Sequence, residues 1–109
     1  MLIDFTKQDE HVIEGMNGGK GKVSAKIFAN SSGRVIVSRI SPGASIGLHT
    51  QTTGNDINFI VSGNGRAICD GIEEILTAGV CHYCPKDSSH MIENTGNDDL
   101  VLYTVVDGI

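Results

Sequence analysis

The 109 residues carry a net charge of −5 with only eight Lys and Arg residues, scattered along the chain. Binding of nucleic-acid phosphates needs clustered cations, so the charge argues against a nucleic-acid partner. No apolar run approaches the roughly 20 residues that span a bilayer, and the acidic N-terminus is unlike a secretory signal. Three cysteines, an odd number, favour free thiols in a reducing compartment. We therefore expect a cytoplasmic protein of one domain, with no membrane partner.

The first 22 residues are irregular in pattern and are predicted to form either an N-terminal arm or one or two edge strands, near residues 2–5 and 11–14. Residues 15–22 include four glycines. A glycine-rich run can cradle phosphate, but here no GK[ST] sequence follows it and no helical pattern begins after it. This run is therefore predicted to be a flexible loop.

Short segments with alternating apolar residues fill the chain from residue 23 to residue 107, which we predict to form a barrel. Strands are predicted at 23–29, 34–41, 56–62, 66–70, 72–77, 80–84, 90–94 and 100–106. No window of 11 residues keeps apolar positions at helical spacing, so essentially no helix is predicted. The pattern indicates an all-β sandwich or barrel spanning residues 1–109.

Two polar clusters carry the residues that suggest chemistry. The first, residues 42–65, sets His49, Gln51 and Asp56 between glycines, and the second, residues 78–94, contains His90. Imidazole nitrogens and carboxylate or amide oxygens are ligands that divalent first-row metals accept. The two clusters therefore predict a metal site.

Strand parity indicates which of these side chains share a face. Side chains two apart on a strand point the same way, so His49 lies with Gln51, and Asp56 lies with Asn58 and Ile60. If Asp56 faces a pocket, Asn58 and Ile60 are expected to line it.

At these spacings the chain resembles the small single-domain cupins, the conserved barrels of the cupin 2 type. Their first motif is commonly written G-x5-H-x-H-x3,4-E-x6-G, and the matching positions here are Gly43, His49, Gln51, Asp56 and Gly63. Their second motif is G-x5-P-x-G-x2-H-x3-N, and the matching positions are Gly79, Pro85, His90 and Asn94. Asp87 stands where the second motif has glycine.

The resemblance implies a double-stranded β-helix, a jelly-roll-like barrel whose mouth holds a metal. Carried over by position, the implied ligands are His49, Gln51, Asp56 and His90. Gln51 replaces a histidine, and Asp56 replaces a glutamate whose side chain is about 1.5 Å longer. The implied cofactor is a divalent transition metal (Mn, Fe, Ni, Co or Zn), and these replacements tilt the preference toward Mn or Fe(II).

Such an ion would act as a Lewis acid on a small ligand. With one carboxylate ligand the site keeps a charge of about +1, which suits a polar metabolite such as a sugar, sugar acid or carboxylate. Arg39 and Asn58 are candidate contacts to that ligand. Two hypotheses follow: a metal-dependent isomerase, lyase or dioxygenase, and a non-catalytic small-ligand-binding barrel without turnover.

Several other polar residues are predicted to have structural roles. We expect His82 to be satisfied by a hydrogen bond on its strand, and Glu73 and Glu74 to be solvated charges at an edge. Cys81 and Cys84 are predicted to lie on opposite faces of a strand, as packing residues and not as a redox or zinc pair.

The chain is also predicted to form a homodimer. Ile57, Phe59 and Val61 alternate with the residues that face the predicted pocket, so they form an apolar row on the outside of the barrel. An exposed apolar row of this kind favours burial against a second copy.

Overall fold

The computed structural model describes residues 1–108, and within them it has ten β-strands, two short 3₁₀ segments and no α-helix. The strands are β1 (His11–Glu14), β2 (Lys22–Asn30), β3 (Gly33–Ile40), β4 (Ser45–Thr50), β5 (Asp56–Ser62), β6 (Asn64–Cys69), β7 (Ile72–Thr77), β8 (Cys81–Cys84), β9 (Ser89–Asn94) and β10 (Leu100–Asp107). The 3₁₀ segments are Phe5–Lys7 and Met16–Gly18. No helix in the described part of the chain is long and apolar enough to cross a membrane.

The strands pair antiparallel in two sheets that face each other. The larger sheet has the order β1-β2-β3-β10-β5-β8, and the smaller has the order β4-β9-β6-β7. From β3 onward the chain passes repeatedly between the two sheets, which winds it into a double-stranded β-helix. The prediction of an all-β jelly-roll-like barrel is confirmed.

The inner face of the larger sheet changes from aliphatic to polar along its strands. At one end Ile40, Leu100 and Leu102 are at most 1% exposed and form part of the core. Nearer the other end, Thr104 of β10 pairs with Asn58 of β5, and both side chains point inward. Burial of the aliphatic end supplies the hydrophobic stabilisation, and the polar end is left to form a site.

The N-terminal segment differs from its prediction in two places. Residues 2–5 form no strand, because Asp4 accepts a hydrogen bond from the Thr6 backbone N–H (3.0 Å) and caps the first 3₁₀ segment. The predicted flexible loop at residues 15–22 is instead packed against β4: the Ser45 N–H donates to the Lys20 carbonyl (2.8 Å), and a Cβ on Gly19 would overlap the Ser45 carbonyl oxygen. Its glycines therefore permit a close backbone approach.

Asp87, which stands where the second motif has glycine, adopts the backbone conformation that glycine favours. Asp87 has φ +75°, in the left-handed region that aspartate tolerates better than most residues. Its N–H donates to the Gln51 carbonyl (2.6 Å), and the Gln51 N–H donates to the Ser88 carbonyl (2.9 Å). The loop after Pro85 therefore holds the backbone of a candidate ligand in place.

Candidate metal centre

The four predicted ligand positions meet between the two sheets. His49 on β4 is paired directly with His90 on β9, and Asp56 begins β5 on the opposite sheet. The Nε2 atoms of His49 and His90 are 3.2 Å apart. Asp56 Oδ2 lies 3.1 Å from His90 Nε2, and Gln51 Oε1 lies 3.1 Å from His49 Nε2. Asp56 therefore reaches the cluster although its side chain is shorter than glutamate.

The chemistry of this cluster fits a cation. His49 Nδ1 lies 2.8 Å from the Gly47 carbonyl oxygen, which can only accept, so a neutral His49 carries its proton there and turns a lone pair inward. Asp56 Oδ1 is buried and has no hydrogen-bond partner in the described chain. An orphaned carboxylate oxygen in such a place is costly unless a positive charge faces it. His49, Asp56 and His90 each offer one ligand atom, and these three atoms lie within 4.8 Å of one another.

A cavity of about 360 Å³ opens in front of the cluster. Its walls are aliphatic toward the core and carry hydroxyl and amide groups near the candidate ligands; they include Ile27, Ile36, Ile46, Thr50, Thr53, Asn58 and Thr104. Asn58 lines it as predicted, and its Oδ1 accepts a hydrogen bond from Thr104 Oγ1 (2.7 Å). Ile60 shares that face but lies deeper, in the hydrophobic core, and does not line the cavity.

The suggestion that Arg39 contacts a ligand in this cavity is wrong. Its neighbours Ser38 and Ile40 are buried, so strand alternation turns the Arg39 side chain to the outer face of the sheet. There it forms an ion pair with Glu10 at 2.6 Å and a longer one with Asp99 at 3.6 Å.

A different arginine lies at the mouth of the cavity. Arg34 on β3 shares a face with Ile36 and Ser38, and all three line the cavity. Val106 of β10 pairs with Arg34 on one side and with Asp56 of β5 on the other. The Arg34 and Asp56 backbones are therefore two strand spacings apart, about 10 Å. No ion pair involves Arg34 within residues 1–108. Once the burial of Ser38 shows which face is inward, strand parity places Arg34 on that face and Arg39 on the other.

His82 forms contacts to two side chains that the sequence did not predict. It is hydrogen-bonded, as predicted, but it is fully buried and its two ring nitrogens contact two different side chains. His82 Nδ1 lies 2.7 Å from Glu74 Oε1, and His82 Nε2 lies 2.9 Å from His90 Nδ1. Glu74 lies on the edge strand β7 with its side chain 42% exposed, and its carboxylate also binds a buried imidazole, a contact that the sequence did not predict.

Two cysteines are cross-strand neighbours of candidate ligands: Cys84 pairs with Asp56, and Cys69 pairs with His90. Cys81 is exposed and Cys84 is buried, which agrees with their predicted opposite faces. Burial raises the pKa of the Cys84 thiol to about 12 and also raises the pKa of Cys69. A protonated thiol is a poor nucleophile. Within the described residues, the group of possible ligand atoms that lie within 4.8 Å of one another consists of His49, Asp56 and His90 and includes no cysteine.

Comparison with known proteins agrees with this geometry. The cupin domain profile matches residues 36–106. The chain is 33% identical over 112 residues to a protein of Thermotoga maritima named oxalate-binding protein, an alignment that covers 97% of this chain and 93% of the relative.

Two solved structures share the fold of this chain. A structure from Thermotoga maritima, described as a predicted oxalate decarboxylase, superimposes with a TM-score of 0.93 at 29% identity, covering all of both chains. The structure of KdgF from Halomonas sp. gives a TM-score of 0.78 at 18% identity, covering 95% of this chain and 90% of that one. At 18% identity the second likeness concerns the fold alone.

Proposed function

Because this chain belongs to the cupin family, we propose that it binds a small carboxylate such as oxalate through a divalent transition metal held by His49, Gln51, Asp56 and His90. The observation that carries the proposal is the convergence of two imidazole nitrogens and two oxygens on one point, with Asp56 Oδ1 buried and unpartnered. When bound, the ion would supply a Lewis acid for the ligand oxygens. Mn and Fe(II) are the ions that we expect, because half of the four donors are oxygens.

Charge and size support a small anionic ligand. One carboxylate among the four ligands leaves a divalent site with a charge of about +1, and Arg34 adds a second positive group at the cavity mouth. A guanidinium matches a carboxylate in a bidentate fork. The name of the Thermotoga maritima relative, oxalate-binding protein, points to the same class of ligand.

The cavity favours binding without turnover over catalysis. Within the described chain, its ionisable lining residues are His49, Asp56, His90 and Arg34. Three of these are proposed metal ligands and the fourth is a permanent cation. No free side chain therefore remains to act as a general acid or base.

Calorimetric titration with oxalate, in the presence and absence of Mn²⁺, tests the proposed function. We expect heat of binding only when Mn²⁺ is present, because the ion supplies most of the positive charge. Assay of the same mixture for formate and carbon dioxide separates binding from turnover, and we expect neither product. Equal oxalate affinity with and without metal would contradict the proposal.

Arg34→Gln should weaken oxalate binding to the Mn²⁺-loaded protein about 10-fold, the effect of losing one charge-assisted contact of about 1.5 kcal/mol. Affinity for Mn²⁺ itself should change less than about twofold, because Arg34 is not a ligand. Arg39→Gln is the matched control and should leave oxalate binding unchanged, since Arg39 is paired on the outer face. Calorimetry measures both affinities; equal oxalate binding by the two variants would contradict a role for Arg34.

A homodimer is the second part of the proposal. Phe59 and Tyr103 form a cross-strand pair on the outer face of the larger sheet and are 51% and 42% exposed, with Tyr83 and Val61 exposed nearby. An aromatic and aliphatic surface of this kind is favourable to bury against a second copy. We propose that this face forms the dimer interface.

Phe59→Glu should convert the dimer into a monomer, because it places a charge in the centre of the apolar face. Leu48→Glu, at a position 69% exposed on the smaller sheet, is the control and should remain a dimer. Light scattering coupled to size exclusion at micromolar concentration measures the mass of each. A monomeric wild-type protein would contradict the proposed interface.

A further inference from the structure

A chain of three side chains lies behind the candidate metal centre and joins both sheets. Glu74 of β7 contacts His82 of β8, and His82 contacts His90 of β9, at 2.7 and 2.9 Å. The two imidazoles are at most 1% exposed, while the Glu74 side chain is 42% exposed. The chain therefore runs from the protein surface to a candidate ligand.

The hydrogen-bond chemistry of this chain determines where each proton lies. An ionised carboxylate can only accept, so His82 Nδ1 donates to Glu74 and the Nε2 of a neutral His82 is left as an acceptor. In that arrangement His90 Nδ1 is the donor to His82 Nε2, which competes for the His90 proton with Asp56 Oδ2, an acceptor 3.1 Å from His90 Nε2. The remaining nitrogen of a neutral His90, Nε2, carries a lone pair, and it is the atom that faces His49 and Asp56.

We propose that Glu74 and His82 are positioning residues that hold His90 in the Nδ1–H tautomer, with Nε2 ready to bind the metal. This inference rests on the proposed function of the His49, Asp56 and His90 cluster. Outer partners of this kind fix the ring orientation of a ligating histidine and raise its basicity. Here the partner is a second imidazole, that of His82, which is itself hydrogen-bonded to the partly exposed Glu74 carboxylate.

The neighbours of Glu74 support a dedicated role. Among the described residues, Glu73 and Glu93 both pair with Arg66, whereas the ion pair recorded for Glu74 is with His82. The adjacent Glu73 thus has the same charge on the same strand but a different partner. This difference makes Glu73 a matched control.

The tautomer of His90 can be measured without any metal. Long-range ¹⁵N–¹H correlation spectra of the metal-free protein at pH 8 report which ring nitrogen carries the proton. We expect the Nδ1–H form for His90 in the wild-type protein and a mixture, or the Nε2–H form, in His82→Leu. A wild-type His90 protonated on Nε2 would overturn the inference even if the protein binds metal.

Metal affinity provides the second readout. We expect His82→Leu to weaken Mn²⁺ binding up to about 100-fold and Glu74→Gln about 10-fold, the range found for outer partners of metal ligands. Glu73→Gln should stay within about twofold of wild type. Electron paramagnetic resonance of free Mn²⁺ measures each dissociation constant, and circular dichroism verifies the fold; Glu74→Gln gives the answer if His82→Leu does not fold.

Failure of the proposed function and failure of the positioning role give different results. Wild-type protein that binds no Mn²⁺ overturns the proposed function, while the spectra of the metal-free protein still decide the tautomer. Wild-type protein that binds Mn²⁺, with Glu74→Gln and His82→Leu unchanged in both readouts, overturns the positioning role and leaves the metal site standing.

Discussion

Replacing both His49 and His90 with alanine should reduce bound Mn²⁺ from about one ion per chain to background, with affinity falling more than about 100-fold. The two imidazoles supply both nitrogen donors of the cluster, and their Nε2 atoms are 3.2 Å apart. The variant keeps only Asp56 and Gln51, two oxygen donors that do not hold a first-row ion against water. Elemental analysis after dialysis measures the ion content, and calorimetry measures the affinity.

His11→Ala is the control for this double variant. His11 is an exposed residue of β1, so its removal tests whether any histidine on the surface affects metal content. We expect His11→Ala to bind one Mn²⁺ as the wild type does. Retention of the ion by the double variant, with the fold intact by circular dichroism, would show that the metal binds elsewhere.

Asp56→Asn should leave the metal-free protein at least as stable as the wild type while removing the stabilisation that metal confers. Asp56 is 8% exposed, and its Oδ1 has no hydrogen-bond partner in the described chain. A neutral amide removes that buried charge and adds donors. With Mn²⁺ at 100 times its Kd, the wild type should gain about 2.7 kcal/mol and the variant almost nothing.

Urea unfolding with and without Mn²⁺ measures both parts of this result. Asp98→Asn is the matched control, because Asp98 is exposed and its carboxylate lies outside the cluster; it should respond to Mn²⁺ as the wild type does. If the metal-free Asp56→Asn protein is much less stable than the wild type, the carboxylate stabilises the fold and is not part of a ligand site.

Strand positions were largely readable from the sequence. The predicted bounds of β5 and β7 match the structure, because both segments are rich in β-branched residues and are bounded by glycine or turn residues. The strand β4 was not predicted, since Gly47 interrupts its pattern and its pairing partner β9 lies far along the chain. Long-range pairing compensates there for weak local preference.

Site residues were predictable where motif spacing and strand parity sufficed. Spacing and parity predict that His49, Gln51, Asp56 and His90 lie together, and the structure places these side chains within about 3 Å of one another in succession. They do not indicate depth: Ile60, expected to line the cavity, belongs to the core. Parity on a single strand also distinguishes inward Arg34 from outward Arg39 once the inner face is known.

Contacts between the sheets could not be read from the sequence. Glu74 and His82 lie on different sheets, and His82 reaches across to His90 on the smaller one. The sequence predicts neither which way His82 faces nor which residue of the opposite sheet it meets. The hydrogen-bonded chain behind the candidate metal centre therefore emerges only from the packing of the two sheets.

An anomalous difference map from crystals grown with Mn²⁺ tests the central claim most directly. The account predicts one strong peak about 2.0–2.3 Å from His49 Nε2, His90 Nε2 and Asp56 Oδ2, with Gln51 Oε1 beside it. No peak between these side chains, or a peak bound only by surface carboxylates, would contradict the account.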